Sequence, residues 1–192
     1  NATARAVPNA EASHATLELS NEVGELCAAG TAGRDDAGPP PSADEFSKGP
    51  PPEFDARPAP TALGFPAGHL LGAYEYRHNA VEAGKSARDM FVDEWPEQGR
   101  IANFHPATAL HHANRMLRAN VALGPWIHTG SRLELHGQPA DGAWISLCGH
   151  VLETYEKRGH IVTDVDMAMF ADDRPIARIK HSAIIRLAGT SD

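Results

Sequence analysis

Eleven histidines are spread along this chain of 192 residues, and one of them, His105, occupies a position where the backbone can assist imidazole chemistry. It opens the segment Phe104-His105-Pro106-Ala107-Thr108-Ala109-Leu110-His111-His112-Ala113-Asn114-Arg115-Met116-Leu117. Proline suits a first helical position, because its fixed φ matches the helix and its missing donor would be unpaired there anyway. The spacing therefore predicts a helix over about 106–119 with residue 105 near its N-cap. A helix start presents unpaired N–H groups and a partial positive charge. A carbonyl placed there is polarised, and an enolate or tetrahedral oxyanion would be stabilised by the N–H groups of residues 107 and 108. His105, at the same end, can move a proton near neutral pH, unless it only hydrogen-bonds locally.

Other groups supply possible partners. Asp93 and Glu94, in Phe91-Val92-Asp93-Glu94-Trp95-Pro96, lie on the approach to the helix, where either could activate water or simply face solvent. His111, Asn114 and Arg118 follow i, i+3, i+7, a polar helix stripe that reads as a dimer or solvent face. His128, in Pro125-Trp126-Ile127-His128-Thr129, stands where it lines the same pocket or serves as a structural histidine. His150, His160 and His181 fall on three successive strand-like runs, but their long spacing lacks the tight pattern or carboxylate partners of metal ligands, so no metal is expected. His111 and His112 are adjacent, hence about 100° apart on a helix, and cannot share an ion.

The elements that must position these groups can be read from periodicity. Leu110, Ala113, Leu117 and Val121 form the apolar stripe of the long helix. Leu70 to Tyr76 reads as a strand and Val81 to Met90 as a short helix. Four strands follow, at about 126–135, 144–156, 160–171 and 175–187, joined by turn chemistry such as Glu156-Lys157-Arg158-Gly159 and Asp172-Asp173-Arg174-Pro175. Short links imply antiparallel hairpins. Two of the runs exceed ordinary strand length, and strands that long in a small domain must curl, so that the sheet can wrap the helix. One long helix wrapped by a curved antiparallel sheet is an α+β arrangement with the outline of the hot-dog fold.

Upstream, residues 15–32 read as a hairpin with Gly24 at its turn. Eight prolines then fall between Asp35 and Thr61, so this stretch cannot enter a sheet interior; it reads either as a disordered linker or, the preferred expectation, as an extended strap anchored by Phe46, Phe54 and Phe65. The expected division is an N-terminal hairpin over 1–33, a Pro-rich linker over 34–64 and a hot-dog domain over 65–188.

The totals exclude several classes. A formal charge of −8 without a basic patch argues against nucleic acid. The apolar runs are too short for a membrane span, and Asn1-Ala2-Thr3-Ala4-Arg5 precedes no signal-peptide core. Cys27 and Cys148 read as two reduced thiols, which fits a cytoplasmic location. Nucleophile-elbow, P-loop and Rossmann glycine patterns are absent from the sequence.

Residues 66–187 resemble a MaoC-like hot-dog domain, of the superfamily that includes enoyl-CoA hydratases and acyl-CoA thioesterases. The resemblance rests on Phe104-His105-Pro106, Gly124-Pro125-Trp126-Ile127-His128, Gly159-His160 and Lys180-His181-Ser182-Ala183-Ile184. It implies an acyl-thioester substrate, with CoA as part of the substrate and no separate cofactor. It also implies a homodimer or higher homo-oligomer. His105 would be the acid/base with Asp93 or Glu94, and Pro106, Ala107, Thr108, Asn114, Trp126 and His128 would contact substrate. Arg118, Arg132 or Lys157 would meet the CoA phosphates. The chain departs from the hydratase pattern, which carries an Asp and Asn-Pro within about a turn of the histidine; here Asn103 is two residues before His105 and Asp93 is 12 before it. Three readings follow: an enoyl-CoA hydratase or dehydratase, an acyl-CoA thioesterase, and a non-catalytic acyl-binding or assembly subunit. The hairpin at 15–32 also resembles the last strands of a hot-dog repeat, which implies either the remnant of a first repeat or a hairpin that supplements a sheet edge.

Overall fold

The structure is a computed structural model that describes residues 2–8, 14–33, 37–46, 49–90 and 104–190. The chain forms two compact units, Asn1–Gly38 and Pro39–Asp192.

The first unit is a three-stranded antiparallel sheet of β1 (Ala2–Pro8), β2 (His14–Asn21) and β3 (Leu26–Gly33) in the order β1-β2-β3. The β2–β3 turn is closed by Asn21, whose Oδ1 accepts from the N–H groups of Val23 and Glu25. Gly24 stands at φ +83°, a left-handed conformation that glycine adopts without penalty. Strand β1 was not expected: its alanines carry little strand preference, and pairing with β2 supplies what local propensity does not.

The second unit is a five-stranded antiparallel sheet in the order β4-β6-β7-β8-β5. Its strands are β4 (Leu70–Arg77), β5 (Ile127–Leu135), β6 (Trp144–Lys157), β7 (His160–Ala171) and β8 (Arg174–Arg186). Helix α1 (Ala80–Met90) and helix α2 (Pro106–Asn120) follow β4. Register shifts interrupt β4, β5, β6 and β7, and such bulges bend and twist the strands. On the face toward α2, Ala177, Ile179, His181, Ala183 and Ile185 of β8 are buried, while Arg178, Lys180, Ser182 and Ile184 between them are not. Ala109, Ala113, Met116 and Leu117 of α2 join Leu147, Val165, Met167 and Ile179 in one apolar core. This is the arrangement expected from the long strands and the single long helix.

At the far end of α2, buried Asn120 clamps the helix to β4. Its Oδ1 accepts from Gly72 N–H at 2.6 Å, and its Nδ2 donates to the carbonyls of Gly72 and Met116, each at 3.0 Å. Gly72 has no room for a side chain, since a Cβ would lie 2.3 Å from the Pro50 carbonyl oxygen.

That proline belongs to the strap, which packs on the second unit rather than standing apart as a linker. Ser42 and Glu45 form a reciprocal capping box around a short 3-10 turn, Ala43–Glu45. Phe46 then inserts among Ala73, Cys148, Ala168 and Phe170, on the sheet face opposite the one carrying Ile179 and Ile185. Glu45 joins Arg178, which is held mainly by Asp166 at 2.6 Å. Phe65 is fully buried, whereas Phe54, expected as an anchor, is 74% exposed and lies under the Arg57 guanidinium. Arg57 instead ties the strap to α2, donating to the Arg118 carbonyl at 3.0 Å. No described helix is long and apolar enough to cross a membrane.

Candidate active site

His105 is the N-cap of α2, in extended backbone at φ −81° and ψ 143°, with Pro106 following as the first helical residue. Its Nδ1 accepts from the Ala107 N–H at 3.1 Å, and its carbonyl accepts from the Thr108 N–H at 2.8 Å. Two consequences follow. The N–H groups of residues 107 and 108, expected as oxyanion donors, close the cap instead, because the histidine supplies acceptors on both its side chain and its backbone, and Pro106 has no N–H to offer. And with Nδ1 committed as an acceptor, the neutral imidazole must carry its proton on Nε2. Half-burial pushes the His105 pKa down, and the positive end of the helix opposes imidazolium in the same sense. The residue is thus a neutral imidazole with its proton on Nε2, set at the helix start.

Behind His105, the first turns of α2 face β4. Tyr74 and Tyr76 alternate onto the same side of that strand. His112 stacks on Tyr76 with ring centroids 3.8 Å apart and an interplanar angle of 13°, and Arg115 lies over Tyr74 at 5.4 Å. Fully buried Phe104 meets buried His78 edge-on at 6.2 Å. The Tyr76 hydroxyl, Thr108 Oγ1 and His112 Nδ1 are all buried and make no hydrogen bond within the described structure. Burial pushes the Tyr76 hydroxyl well above its ordinary range and takes the His112 imidazole down to about 4, helped by His111, Arg115 and His78. All three groups are therefore uncharged at neutral pH. Buried polar atoms left unpaired are costly, so this row is equipped to hydrogen-bond a polar group that enters.

The expected site residues divide accordingly. His105, Pro106, Ala107 and Thr108 are brought together at the helix start. Asn114 lies nine residues further along α2, about 13 Å at the helical rise, with its Oδ1 buried and unpaired. Arg118 is 13 residues on, about 20 Å along the axis, with an exposed side chain. Arg132 is engaged by Glu134 at 2.9 Å on β5, and Lys157 is exposed at the β6–β7 turn. Trp126 packs against the core edge, and His128 bonds Ser131 on β5. Asp93 and Glu94 lie outside the described residues. His150, His160 and His181 do not converge: they meet Phe46, the Ala188 N–H and Ser131 respectively. Sequence reasoning missed Tyr76 as the partner of His112. The i, i+2 spacing of Tyr74 and Tyr76 on a strand was the available signal, but only the packing of α2 on β4 shows which helix face they meet.

No family model and no curated protein matches the sequence. Solved structures do match the fold. The (R)-hydratase from A. caviae involved in PHA biosynthesis is 13% identical with a TM-score of 0.50, over 65% of this chain and 99% of that one. A point-mutant form of the fluoroacetyl-CoA-specific thioesterase FlK is 12% identical with a TM-score of 0.51, over 63% of this chain and 87% of that one. The chain has the hot-dog fold. At such identities the likeness defines the architecture and nothing finer.

Proposed function

We propose that the second unit binds an acyl thioester of the acyl-CoA class at the start of α2 and adds water to, or removes it from, an enoyl-CoA. The observation that carries this reading is the His105 cap, which sets a neutral imidazole protonated on Nε2 at the positive end of a helix, beside an uncharged polar row whose Tyr76, Thr108 and His112 atoms are buried and unpaired within the described structure. The thioester carbonyl accepts from Nε2–H, which draws electron density toward the oxygen and makes C3 electrophilic. Tyr76 and Thr108 supply hydroxyls within the same row. A carboxylate, Asp93 or Glu94, takes the proton of the attacking water as its oxygen bonds to C3, and the carboxylic acid so formed returns that proton to C2 while the His105 imidazole holds the carbonyl oxygen. Arg118, Arg132 and Lys157 serve the CoA phosphates, and two copies of the chain associate, with the protein acting in the cytoplasm.

A thioesterase uses the same polarised carbonyl but sends water to it and releases the thiol; the match to a thioesterase fold is as good as that to a hydratase. Crotonyl-CoA separates them. Loss of the conjugated double bond without thiol release is the expected result. Thiol release would move the reaction to hydrolysis. Binding without either change would make the chain an acyl-binding subunit, and failure to bind any acyl-CoA would overturn the reading.

A further inference from the structure

A second cluster of titratable groups lies away from the α2 start, on β5 and β8, and uses none of the residues placed there. It joins two segments far apart in sequence, Trp126-Ile127-His128 and Lys180-His181-Ser182. Ser131 pairs with His181 across the two strands, and a register shift falls between His128 and Gly130. That shift matters. Residues 128 and 131 differ by three, which would put them on opposite faces of a regular strand, and the extra residue of a bulge restores them to one face. As a result the Ser131 Oγ lies 2.9 Å from His128 Nε2 and 2.9 Å from His181 Nδ1. The two imidazoles stack, with centroids 4.4 Å apart and planes within 13°.

A serine hydroxyl has one proton, so one imidazole must accept it while the other donates. The surroundings decide which. His181 is 1% exposed and flanked by Ile179 and Ala183 on the core face, whereas His128 is only half-buried. Desolvation, and then the proximity of His128, take the His181 pKa down to about 4. His181 is therefore the poor proton acceptor. It stays neutral and gives its Nδ1–H to Oγ, and the serine proton points at His128. This tautomer leaves His181 Nε2 as a bare lone pair, and that atom has no hydrogen-bond partner in the described structure. Ser131 itself is exposed, on a strand at the sheet edge, whose outer backbone donors are not used by a neighbouring strand of the described sheet.

We infer that Ser131 is a nucleophile toward activated acyl groups, small esters or thioesters, with His128 as its general base and His181 as the donor that steadies the developing alkoxide. In the first step a bond forms between Oγ and the acyl carbon while the serine proton passes to His128 Nε2. As the tetrahedral intermediate collapses, the bond from carbon to the leaving oxygen or sulfur breaks, and the leaving group takes that proton. Water then attacks the acyl-serine, again giving its proton to His128, and the serine oxygen departs with it, releasing a carboxylic acid.

The test is incubation of the full chain with p-nitrophenyl acetate, an acid quench and peptide mass spectrometry. The expected result is one acetyl group on Ser131, absent from Ser131→Ala, with acylation slowed about 100-fold in His128→Asn. His105→Asn should acylate at the unaltered rate, which keeps this outcome separate from any failure at the α2 start. A fluorophosphonate provides a readout on the unaltered chain and should label Ser131. Absence of both adducts from Ser131, or acylation of His128→Asn as fast as the parent, would overturn the inference.

Discussion

Single side chains do two jobs at the start of α2, and substitutions can separate them. His105 caps the helix through Nδ1 and offers chemistry through Nε2. Asparagine is a good N-cap without an imidazole, so His105→Asn should keep the melting temperature while lowering crotonyl-CoA turnover by at least about 100-fold. His105→Ala should lose turnover equally and about 1 kcal/mol of stability besides, measured by urea denaturation. The buried histidines set a pH dependence. His112 and His181 are each taken to about 4 in the folded chain, below their ordinary 6.5. Above that ordinary value both are neutral folded or unfolded. As pH falls from 6.5 toward 4, the unfolded imidazoles bind protons that the folded ones refuse, so stability falls through that window. The urea midpoint should drop between neutral and mildly acidic pH, and His112→Phe, which keeps the stack on Tyr76, should lessen the drop. At this scale the sequence exposed His105 through the proline after it. It hid the tautomer, because nothing in the residue order says which nitrogen closes the cap.

Elements were more legible than their contacts. The apolar stripe of α2 and the turn residues between β6, β7 and β8 marked those elements closely, since periodicity and turn chemistry are local. What was not legible is how they meet: the Asn120 clamp spans 48 residues, and the His128–Ser131–His181 cluster depends on a bulge. The clamp makes a sharp prediction. Asn120→Ala leaves both backbone groups of Gly72 unmatched beside the core and should cost about 3 kcal/mol in denaturant unfolding. The strap gives another. Phe46 covers Cys148, and Phe46→Ala should cost about 2 kcal/mol and open that thiol to a colorimetric reagent. Two thiols should then react, Cys27 being already exposed, where one reacts in the parent. The proline count gave the strap's extended character, but which of its aromatics anchor it depends on the side chains it meets, and Phe54 meets solvent.

The whole molecule couples a helix positive end to a sheet long enough to bend around it, and the acyl-thioester reading draws on both. Fold class was within reach of the sequence because one long helix among long antiparallel strands leaves few layered solutions. The reaction was not, since its water-activating carboxylate must come from a segment with no periodic signal of its own, around Asp93 and Glu94. Binding is therefore a more direct test than turnover. Titration calorimetry with a hydrolysis-resistant acyl-CoA thioether that retains a carbonyl, run on the parent chain and on His105→Asn, isolates the contact on which the account depends. The account predicts saturable one-to-one binding by the parent and at least tenfold weaker binding by the variant, about 1.4 kcal/mol for one hydrogen bond to the carbonyl. Equal affinity in the two proteins, or no binding by the parent, would contradict it.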